Sequence, residues 1–171
     1  KDRIFTYGLP EFQKSKLKNS NNIANPGCFA TSIQLAILPL AYSKLICDEI
    51  HVNSITGSTG AGVGLSSTSH FSQRNNNLSW YKVFTHQHLS EINQTLNFLN
   101  GNEVKINFIP IRGNFTRGIF STAYTNFNDS IDKAFDLYSD YYKGDPFVKI
   151  SKNEIFLKQV VNTNNCHIHL H

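Results

Sequence analysis

The sequence predicts an α+β fold, with a mixed and largely antiparallel sheet that has helices on one face. Two observations lead to this prediction. Helix-like and strand-like segments follow one another in the order α-β-loop-α-β-β-α-β-β, so several strands are consecutive in the chain with no helix between them. This order is typical of α+β proteins rather than of doubly wound sheets. The chain also has 171 residues, 40% of them hydrophobic, which is enough for one domain with a substantial core.

The first third of the chain contains a broken strand, two helices and a complete strand. "RIFTYGLPEF" predicts the end of a strand that is interrupted by Gly8 and Pro10, and the polar stretch "KSKLKNSNN" predicts a short surface helix. The apolar run after "NPGC" predicts a helix that ends at Ser43 and bends at Pro39. Residues 49–56 alternate between apolar and polar side chains, which predicts a strand.

The middle of the chain begins with a long loop rich in glycine, serine and asparagine. Loops of this length inside a compact domain are usually functional or disordered. A helix follows, with Gly101 as its C-terminal cap, and then two strands, "EVKINFIP" stopped by Pro110 and "RGIFSTAYTNF". The apolar residues that mark one face of this helix are Leu89, Ile92, Leu96 and Leu99.

The last third predicts one helix and two strands. The helix begins at Asp129 or Ser130, which can cap it, and ends before Gly144 and Pro146. "PFVKIS" and "FLKQVVNTNNCHIHLH" are predicted as strands. One side of the helix is apolar through Ile131, Phe135, Tyr138 and Tyr142.

Composition disfavours several classes of partner. The net charge of +4 comes from scattered basic residues rather than a stripe with interleaved aromatics, so we expect no nucleic-acid binding. The apolar runs are too short to span a membrane, and no signal peptide is recognisable. Three cysteines without a Cys-x-x-Cys pair indicate a reducing compartment, so we expect a cytoplasmic location.

Cys28 is the first candidate for chemistry. Pro26 fixes φ, and Gly27 tolerates backbone conformations that other residues avoid. Cys28 is therefore expected at a helix N-terminus, where the helix dipole favours an anion and can promote a reactive thiolate. The alternative is a small buried apolar residue, which describes most lone cysteines.

The stretch "THQHLSEI" places two histidines and a carboxylate at the start of a helix. His86 or His88 can act as a general base when Glu91 orients the ring. A solvated helix cap explains the same residues. A zinc site is a third reading, but no further ligand cluster at suitable spacing completes it.

Two loops offer groups that bind anions. The glycines of residues 57–62 let the backbone approach a ligand, and exposed N–H groups can bind phosphate or an oxyanion. Arg112 and Arg117 flank a turn, and a guanidinium suits carboxylate or phosphate. A flexible loop and ordinary surface charges are the alternatives. The three histidines in "HIHLH" (residues 167–171) are better explained by a solvated strand face than by a metal site.

The motifs together resemble one family. "YGLPE", "ANPGCFAT", "GSTGAG", "HQHLSEI" and "RG" after "FIP", in this order and spacing, are similar to the N-acyl-γ-glutamyl-phosphate reductases of arginine biosynthesis. The resemblance implies a catalytic domain like the C-terminal domain of glyceraldehyde-3-phosphate dehydrogenase-like enzymes. It also implies NADPH-dependent reduction of an N-acyl-γ-glutamyl phosphate to the semialdehyde, through a cysteine thioester and with release of phosphate. Homodimers or homotetramers are expected.

The resemblance also implies a division of the chain. Residues 1–24 would be the end of an NADP-binding Rossmann domain, and residues 25–171 the catalytic and dimerisation domain without its final helix. Nearly all of the cofactor site would then lie outside this sequence, so we expect the piece alone to be inactive. The choice of acyl group (acetyl, succinyl or carrier-linked) is left open.

The roles that the resemblance implies fall into three groups. Catalysis would use Cys28 as nucleophile, His86 as base and proton donor, and His88 with Glu91 to orient it, although the two histidines could exchange roles. The implied substrate-binding residues are Arg117, Arg112, Ser58 and Thr59. The implied cofactor-binding residues are Gly57, Gly60, Ala61 and Gly62, and no metal is expected. The alternatives are an enzyme like aspartate-semialdehyde dehydrogenase and a non-catalytic assembly domain.

Overall fold

The computed structural model describes residues 3–171. In that part of the chain eight strands and five α-helices alternate with short 3-10 turns. In chain order they are β1 (Thr6–Tyr7), α1 (Pro10–Lys18), β2 (Ile23–Ala24), α2 (Cys28–Tyr42), β3 (Ile50–Thr56), α3 (Phe71–Arg74), β4 (Ser79–Trp80), α4 (His88–Asn100), β5 (Ile106–Arg112), β6 (Ile119–Tyr124), α5 (Ile131–Tyr141), β7 (Val148–Ser151) and β8 (Cys166–His169).

The central sheet has four strands in the order β4-β5-β3-β6. β3 pairs in parallel with β5, and the other two pairings, β3 with β6 and β4 with β5, are antiparallel. Two further pairs, β1 with β2 and β7 with β8, form separate two-stranded parallel sheets. The predicted α+β fold with a mixed sheet is thus confirmed.

One face of the central sheet is covered by α2 and α4. Side chains alternate between the two faces of a strand, and in β3 and β5 every second residue is buried, for example Val52 and Phe108. These residues share a core with Phe29 of α2 and with Ile92 and Leu96 of α4. The helical spacing that predicted α4 therefore marks its buried face, and Gly101 ends the helix at a φ of 79°, as predicted.

Pro110 does not stop β5, contrary to the prediction. The strand continues through Pro110 to Arg112, and it pairs with β3 along its whole length. The carbonyl oxygen of Pro110 accepts a hydrogen bond from the N–H of Tyr81, on the side of the two-residue edge strand β4. The N and O atoms of one strand residue point to the same side, so an N–H at Pro110 would also have pointed towards β4. Its absence therefore removes no hydrogen bond between β3 and β5.

Both ends of the chain differ from the prediction in detail. The first helix begins at Pro10 rather than in "KSKLKNSNN", since proline is favourable in the first helical turn. The predicted strand in residues 156–171 is mostly absent, because Leu157–Gln159 form a 3-10 turn and only Cys166–His169 pair with β7. The predicted α5 is confirmed, with the Ser130 side chain as its N-cap.

None of the helices in residues 3–171 combines the length and the apolar character needed to cross a lipid bilayer.

Candidate functional site

Cys28 is the first residue of α2, and its side chain is exposed. The residue before it, Gly27, is the N-cap and offers no side chain to bond the first N–H groups of the helix. These N–H groups have no partner within the helix and give its end a partial positive charge. The sulfur thus lies where an anion is favoured, in the position predicted from the sequence.

A glycine is needed at position 27 because there is no room for a side chain, and not because of the backbone conformation. Its φ of −64° and ψ of 153° are accessible to most residues, so the conformational freedom of glycine is not needed. A Cβ atom at this position would overlap the imidazole ring of His88. The absence of a side chain therefore lets the His88 ring lie directly against the residue that precedes Cys28.

His86 is enclosed by aromatic rings and only 4% exposed. The ring centroids of Phe29, Tyr81 and Phe108 lie 5.4, 5.7 and 5.6 Å from its own. Its Nδ1 atom accepts a hydrogen bond of 3.2 Å from the backbone N–H of His88, the first residue of α4. Burial lowers the pKa of His86 to about 4, and the nearby His88 and Lys82 act in the same direction. His86 is therefore neutral at pH 7, with its proton on Nε2.

The His88 ring lies beside that of His86, with 4.5 Å between the two centroids. Burial lowers its pKa, Glu91 acts against this effect, and Lys82 adds to it. Within residues 3–171, its buried Nδ1 atom has no hydrogen-bond partner. The opposite edge of the ring, with Nε2, lies against Gly27, so Nε2 is the His88 nitrogen that faces the cysteine loop.

Among the residues described, the Glu91 carboxylate hydrogen-bonds to Gly27 and Tyr7, and it does not make the hydrogen bond to an imidazole that was expected from the sequence. Its Oε2 atom accepts the backbone N–H of Gly27 at 3.1 Å and the hydroxyl of Tyr7 at 2.8 Å. The carboxylate lies in the first turn of α4, so it ties the start of α4 to the start of α2. Cys28, His86, His88 and Glu91 are therefore brought together by the packing of these two helix N-termini.

Within the described residues, the sulfur of Cys28 forms no hydrogen bond with an imidazole. Such a contact would distinguish a catalytic cysteine from an inert one. Catalytic hydrogen bonds often tighten only when substrate binds.

Tyr81 and Arg112 extend the site, and Tyr81 was not predicted from the sequence. The Arg112 guanidinium lies 4.9 Å above the Tyr81 ring centre. Burial raises the pKa of Tyr81, the Arg112 contact opposes this, and the nearby Cys28 adds to the increase. The Nε atom of Arg112 is buried without a partner among the residues described. No motif marks Tyr81, whose place depends on the turn that precedes α4.

The glycine loop does not present the free N–H groups that were expected. The N–H groups of Gly57, Ser58 and Thr59 donate to the carbonyl oxygens of Gly118, Phe115 and Thr116. Those of Gly60 and Gly62 bond within the loop itself. The expectation of an N–H cradle is therefore wrong at these five positions.

Arg117 lies in the neighbouring loop, where it is exposed. This loop and the glycine loop lie at the end of the sheet where Thr56 pairs with Arg112 and with Ile119. Cys28 and Gly118 line the same cavity, so Arg117 and the glycine loop are at the Cys28 end of the molecule.

Residues 3–171 contain no group of three or more His, Cys, Asp or Glu side chains placed to hold a metal ion.

Comparison with known proteins shows the family to which the chain belongs. A family model described as the semialdehyde dehydrogenase dimerisation domain matches residues 28–171. A curated N-acetyl-gamma-glutamyl-phosphate reductase of Azobacteroides pseudotrichonymphae is 56% identical over 97% of this chain and 51% of its own length. The protein of the same name from Flavobacterium johnsoniae is 54% identical over 97% of this chain and 51% of its own length. The chain spans about half the length of these relatives, which confirm the resemblance drawn from the motifs.

Solved structures agree with the fold. A probable aspartate-semialdehyde dehydrogenase from Pseudomonas aeruginosa superposes with a TM-score of 0.70 at 10% identity, over 95% of this chain and 57% of that one. The aspartate semialdehyde dehydrogenase from Francisella tularensis gives 0.70 at 12% identity, over 98% and 61%. At this identity the likeness concerns the fold alone. With the family model matching 28–171, the chain belongs to the family of the semialdehyde dehydrogenase dimerisation domain.

Proposed function

We propose that this chain is the catalytic and dimerisation part of an enzyme that reduces N-acetyl- or another N-acyl-γ-glutamyl phosphate to the γ-semialdehyde, in arginine biosynthesis. The observation that carries the proposal is the position of Cys28, exposed at an uncapped helix N-terminus beside the His88 ring. The names of the relatives supply the substrate. The three unpaired cysteines are consistent with a cytoplasmic location.

The first chemical step uses groups of this chain alone. The Cys28 thiolate attacks the γ-carbonyl carbon, a C–S bond forms, and the C–O bond to phosphate breaks as phosphate leaves. The N–H groups at the start of α2 stabilise the oxyanion that develops. The product of this step is a thioester, which accepts hydride more readily than an oxygen ester.

The two histidines divide the proton transfers. His88 takes the thiol proton through Nε2, the ring atom that faces Gly27 and the start of α2. His86 donates a hydrogen bond from Nε2 to the oxyanion or to the leaving phosphate, since its Nδ1 atom is held by the N–H of His88. This is one of the two arrangements that the sequence left open. Arg112 or Arg117 would bind the substrate's phosphate or carboxylate.

NADPH is assigned mainly to the part of the longer protein outside this chain. Within residues 3–171 the N–H groups of Gly57, Ser58 and Thr59 are already bonded, and no Gly-x-Gly-x-x-Gly turn follows a strand, so these residues do not form a dinucleotide site by themselves. When bound, the cofactor supplies the hydride. Ala61 and the glycines near it can at most border the nicotinamide end.

The domain division rests on the family resemblance, and a groove between β6 and β8 offers a contact for the part of the longer protein outside this chain. Both strands are at sheet edges, and a cavity of about 720 Å³ between them is lined largely by apolar residues of α2, α5 and the two strands. An unpaired strand edge of this kind is a template for a further strand. An extended segment from the remainder of the longer protein fills it, with residues 1–24 as the end of the cofactor domain. Those N–H groups of residues 119–124 that point away from β3 should exchange fast in this chain and slowly in the longer protein. Equal exchange of these groups in both proteins would contradict the assignment.

The uncovered face of the central sheet is the contact between two copies, giving a homodimer or a homotetramer. This proposal is supported by the description of the family as a dimerisation domain. The side chains on this face are largely apolar, and Trp80 is 74% exposed. Its apolar residues are Ile55, Trp80, Ile109, Ile111, Phe120 and Tyr124, and the polar His51, Asn53, Asn107 and Thr122 lie among them.

The participation of both histidines is tested in a protein of the relatives' full length with His86→Asn and His88→Asn. The side chain introduced by His86→Asn keeps an oxygen that can accept the N–H of residue 88 and so cap α4, but it lacks the distal nitrogen. Each variant should lower kcat by about 10²–10⁴-fold, the usual loss for an acid–base group. Activity near the unsubstituted level in both variants would refute the mechanism.

A further inference from the structure

Tyr7 makes a buried connection between the start of the chain and the loop of Cys28. Its hydroxyl donates to Glu91 Oε2 at 2.8 Å and accepts from Gln34 Nε2 at 2.6 Å. Burial raises the pKa of Tyr7 well above its ordinary value, and although the Gln34 bond lowers it, Glu91 raises it further. The hydroxyl therefore remains protonated, and it is a constant hydrogen-bond donor to Glu91.

The same carboxylate oxygen reaches the residue before Cys28. Glu91 Oε2 also accepts the N–H of Gly27, and Gln34 lies in α2, which begins at Cys28. The contacts thus form a closed ring: Gly27 to Glu91, Glu91 to Tyr7, Tyr7 to Gln34, and back along α2. Gly27 has no side chain to hold the first turn of this helix. The hydrogen bonds among Tyr7, Glu91 and Gln34 therefore supply the anchor that a capping side chain would otherwise provide.

We infer that Tyr7 is a positioning residue for the Cys28 nucleophile, acting through Glu91. The inference rests on the proposed function for its catalytic meaning, but the contacts do not depend on it. Without the Tyr7 hydroxyl, the Glu91 carboxylate loses a donor and can turn from Gly27 towards the His88 ring. Two consequences follow: the cysteine loop loses its anchor, and His88 acquires a closer negative charge.

The second consequence has a defined sign. The charged or titratable groups near the His88 ring are Glu91, His86, Lys82 and, at the start of α2, Cys28. Glu91 already opposes the lowering of the His88 pKa, so a closer carboxylate will raise this pKa. A pH–rate profile limited by neutral His88 should then shift to higher pH.

The test measures alkylation of Cys28 by iodoacetamide against pH in Tyr7→Phe, which keeps the ring and removes only the hydroxyl. Tyr138→Phe is the matched control, because the Tyr138 hydroxyl is also buried and bonds α2, at the carbonyl oxygen of Ala36 and away from Cys28. We expect alkylation to be about tenfold slower in Tyr7→Phe, the size of effect that follows from losing one buried hydrogen bond, with the pH midpoint moved upward. Tyr138→Phe should match the unsubstituted chain.

Glu91→Ala shows whether Tyr7 acts through Glu91. In that background Tyr7→Phe should have no further effect on alkylation, because the carboxylate it orients is gone. Equal slowing in Tyr7→Phe and Tyr138→Phe, additive effects of Tyr7→Phe and Glu91→Ala, or an unshifted pH midpoint would overturn the inference. Loss of activity in Cys28→Ser of the longer protein checks the proposed function separately, so the two can fail independently.

Discussion

The imidazole ring of His88 lies against the Cα atom of Gly27, with no room for a methyl group between them. This contact joins the start of α2 to the start of α4, and it places a titratable ring beside the residue that precedes Cys28. The two residues are far apart in the sequence, and neither is unusual in its own motif. Their contact is the geometric reason for the glycine in the "Pro-Gly-Cys" sequence at this helix start.

Gly27→Ala should disrupt the site and destabilise the domain. The added Cβ forces the His88 ring or the cysteine loop to move, and overpacking of this kind costs about 1–3 kcal/mol. Gly64→Ala is the control, because a Cβ at Gly64 meets no atom within 4 Å. The free energy of unfolding, measured with urea, should fall for Gly27→Ala and stay unchanged for Gly64→Ala. If both variants are as stable as the original chain, the contact with His88 is not as close as described.

Cys28 should react with iodoacetamide faster than the other two cysteines. Cys166 is mostly buried, and burial raises its pKa to about 11, so it should be nearly inert at pH 7. Cys47 is exposed, and it therefore serves as an internal reference for an accessible thiol that is not at a helix start. Mass-spectrometric mapping after brief labelling should give the order Cys28, Cys47, Cys166. Labelling of Cys47 at the same rate as Cys28 would show that the helix start does not activate the thiol.

Stability should fall in mild acid because of the buried histidines. The pKa of His86 is about 4 in the folded chain, chiefly through burial, against 6.5 when exposed. Between these values the unfolded state binds the additional proton, so the free energy of unfolding decreases as the pH falls from 6.5 towards 4 and does not change through this group above 6.5. Urea titrations across this range should show a smaller pH dependence in His86→Asn. An identical dependence in both proteins would mean that His86 titrates normally.

A charge on the uncovered sheet face should separate the dimer. Trp80→Lys places an ammonium group in an apolar contact, where an unpaired charge is costly. Leu65→Lys, a change at a fully exposed loop residue outside that face, is the matched control. Sedimentation equilibrium should give a dimer for the original chain and the control, and a monomer for Trp80→Lys. A dimer that is unaffected by Trp80→Lys would place the contact elsewhere.

The regular elements were the most predictable part of the molecule. The spacing of Ile92 and Leu96 predicted the buried face of α4, and Gly101 predicted the end of that helix. Ser130 was one of the two residues predicted to cap α5. Each of these features depends on local chemistry. Pro110 misled the prediction, since its tolerance depends on which neighbouring strand its missing N–H would face. That information is tertiary and is not present in a short stretch of sequence.

The contacts within the site also depend on tertiary structure and could not be predicted from short stretches of sequence. The residue types of Cys28, His86, His88 and Glu91 could be selected from their motifs, but their partners could not. The hydrogen bonds of Glu91 go to Tyr7 and Gly27, which are 84 and 64 positions away in the chain. The N–H groups of the glycine loop donate to carbonyl oxygens within residues 115–118. This contact is also between loops that are distant in the sequence.

If Cys28 carries the acyl group during the reaction, the thioester can be trapped when the hydride donor is left out. A protein of the relatives' full length is mixed with N-acetyl-γ-glutamyl phosphate in the absence of NADPH, quenched in acid and digested for mass spectrometry. The account predicts that the peptide containing Cys28 gains the mass of an N-acetylglutamyl thioester with release of phosphate, and that Cys28→Ser shows neither. Phosphate release that persists in Cys28→Ser, or an acyl group found on another residue, would contradict it.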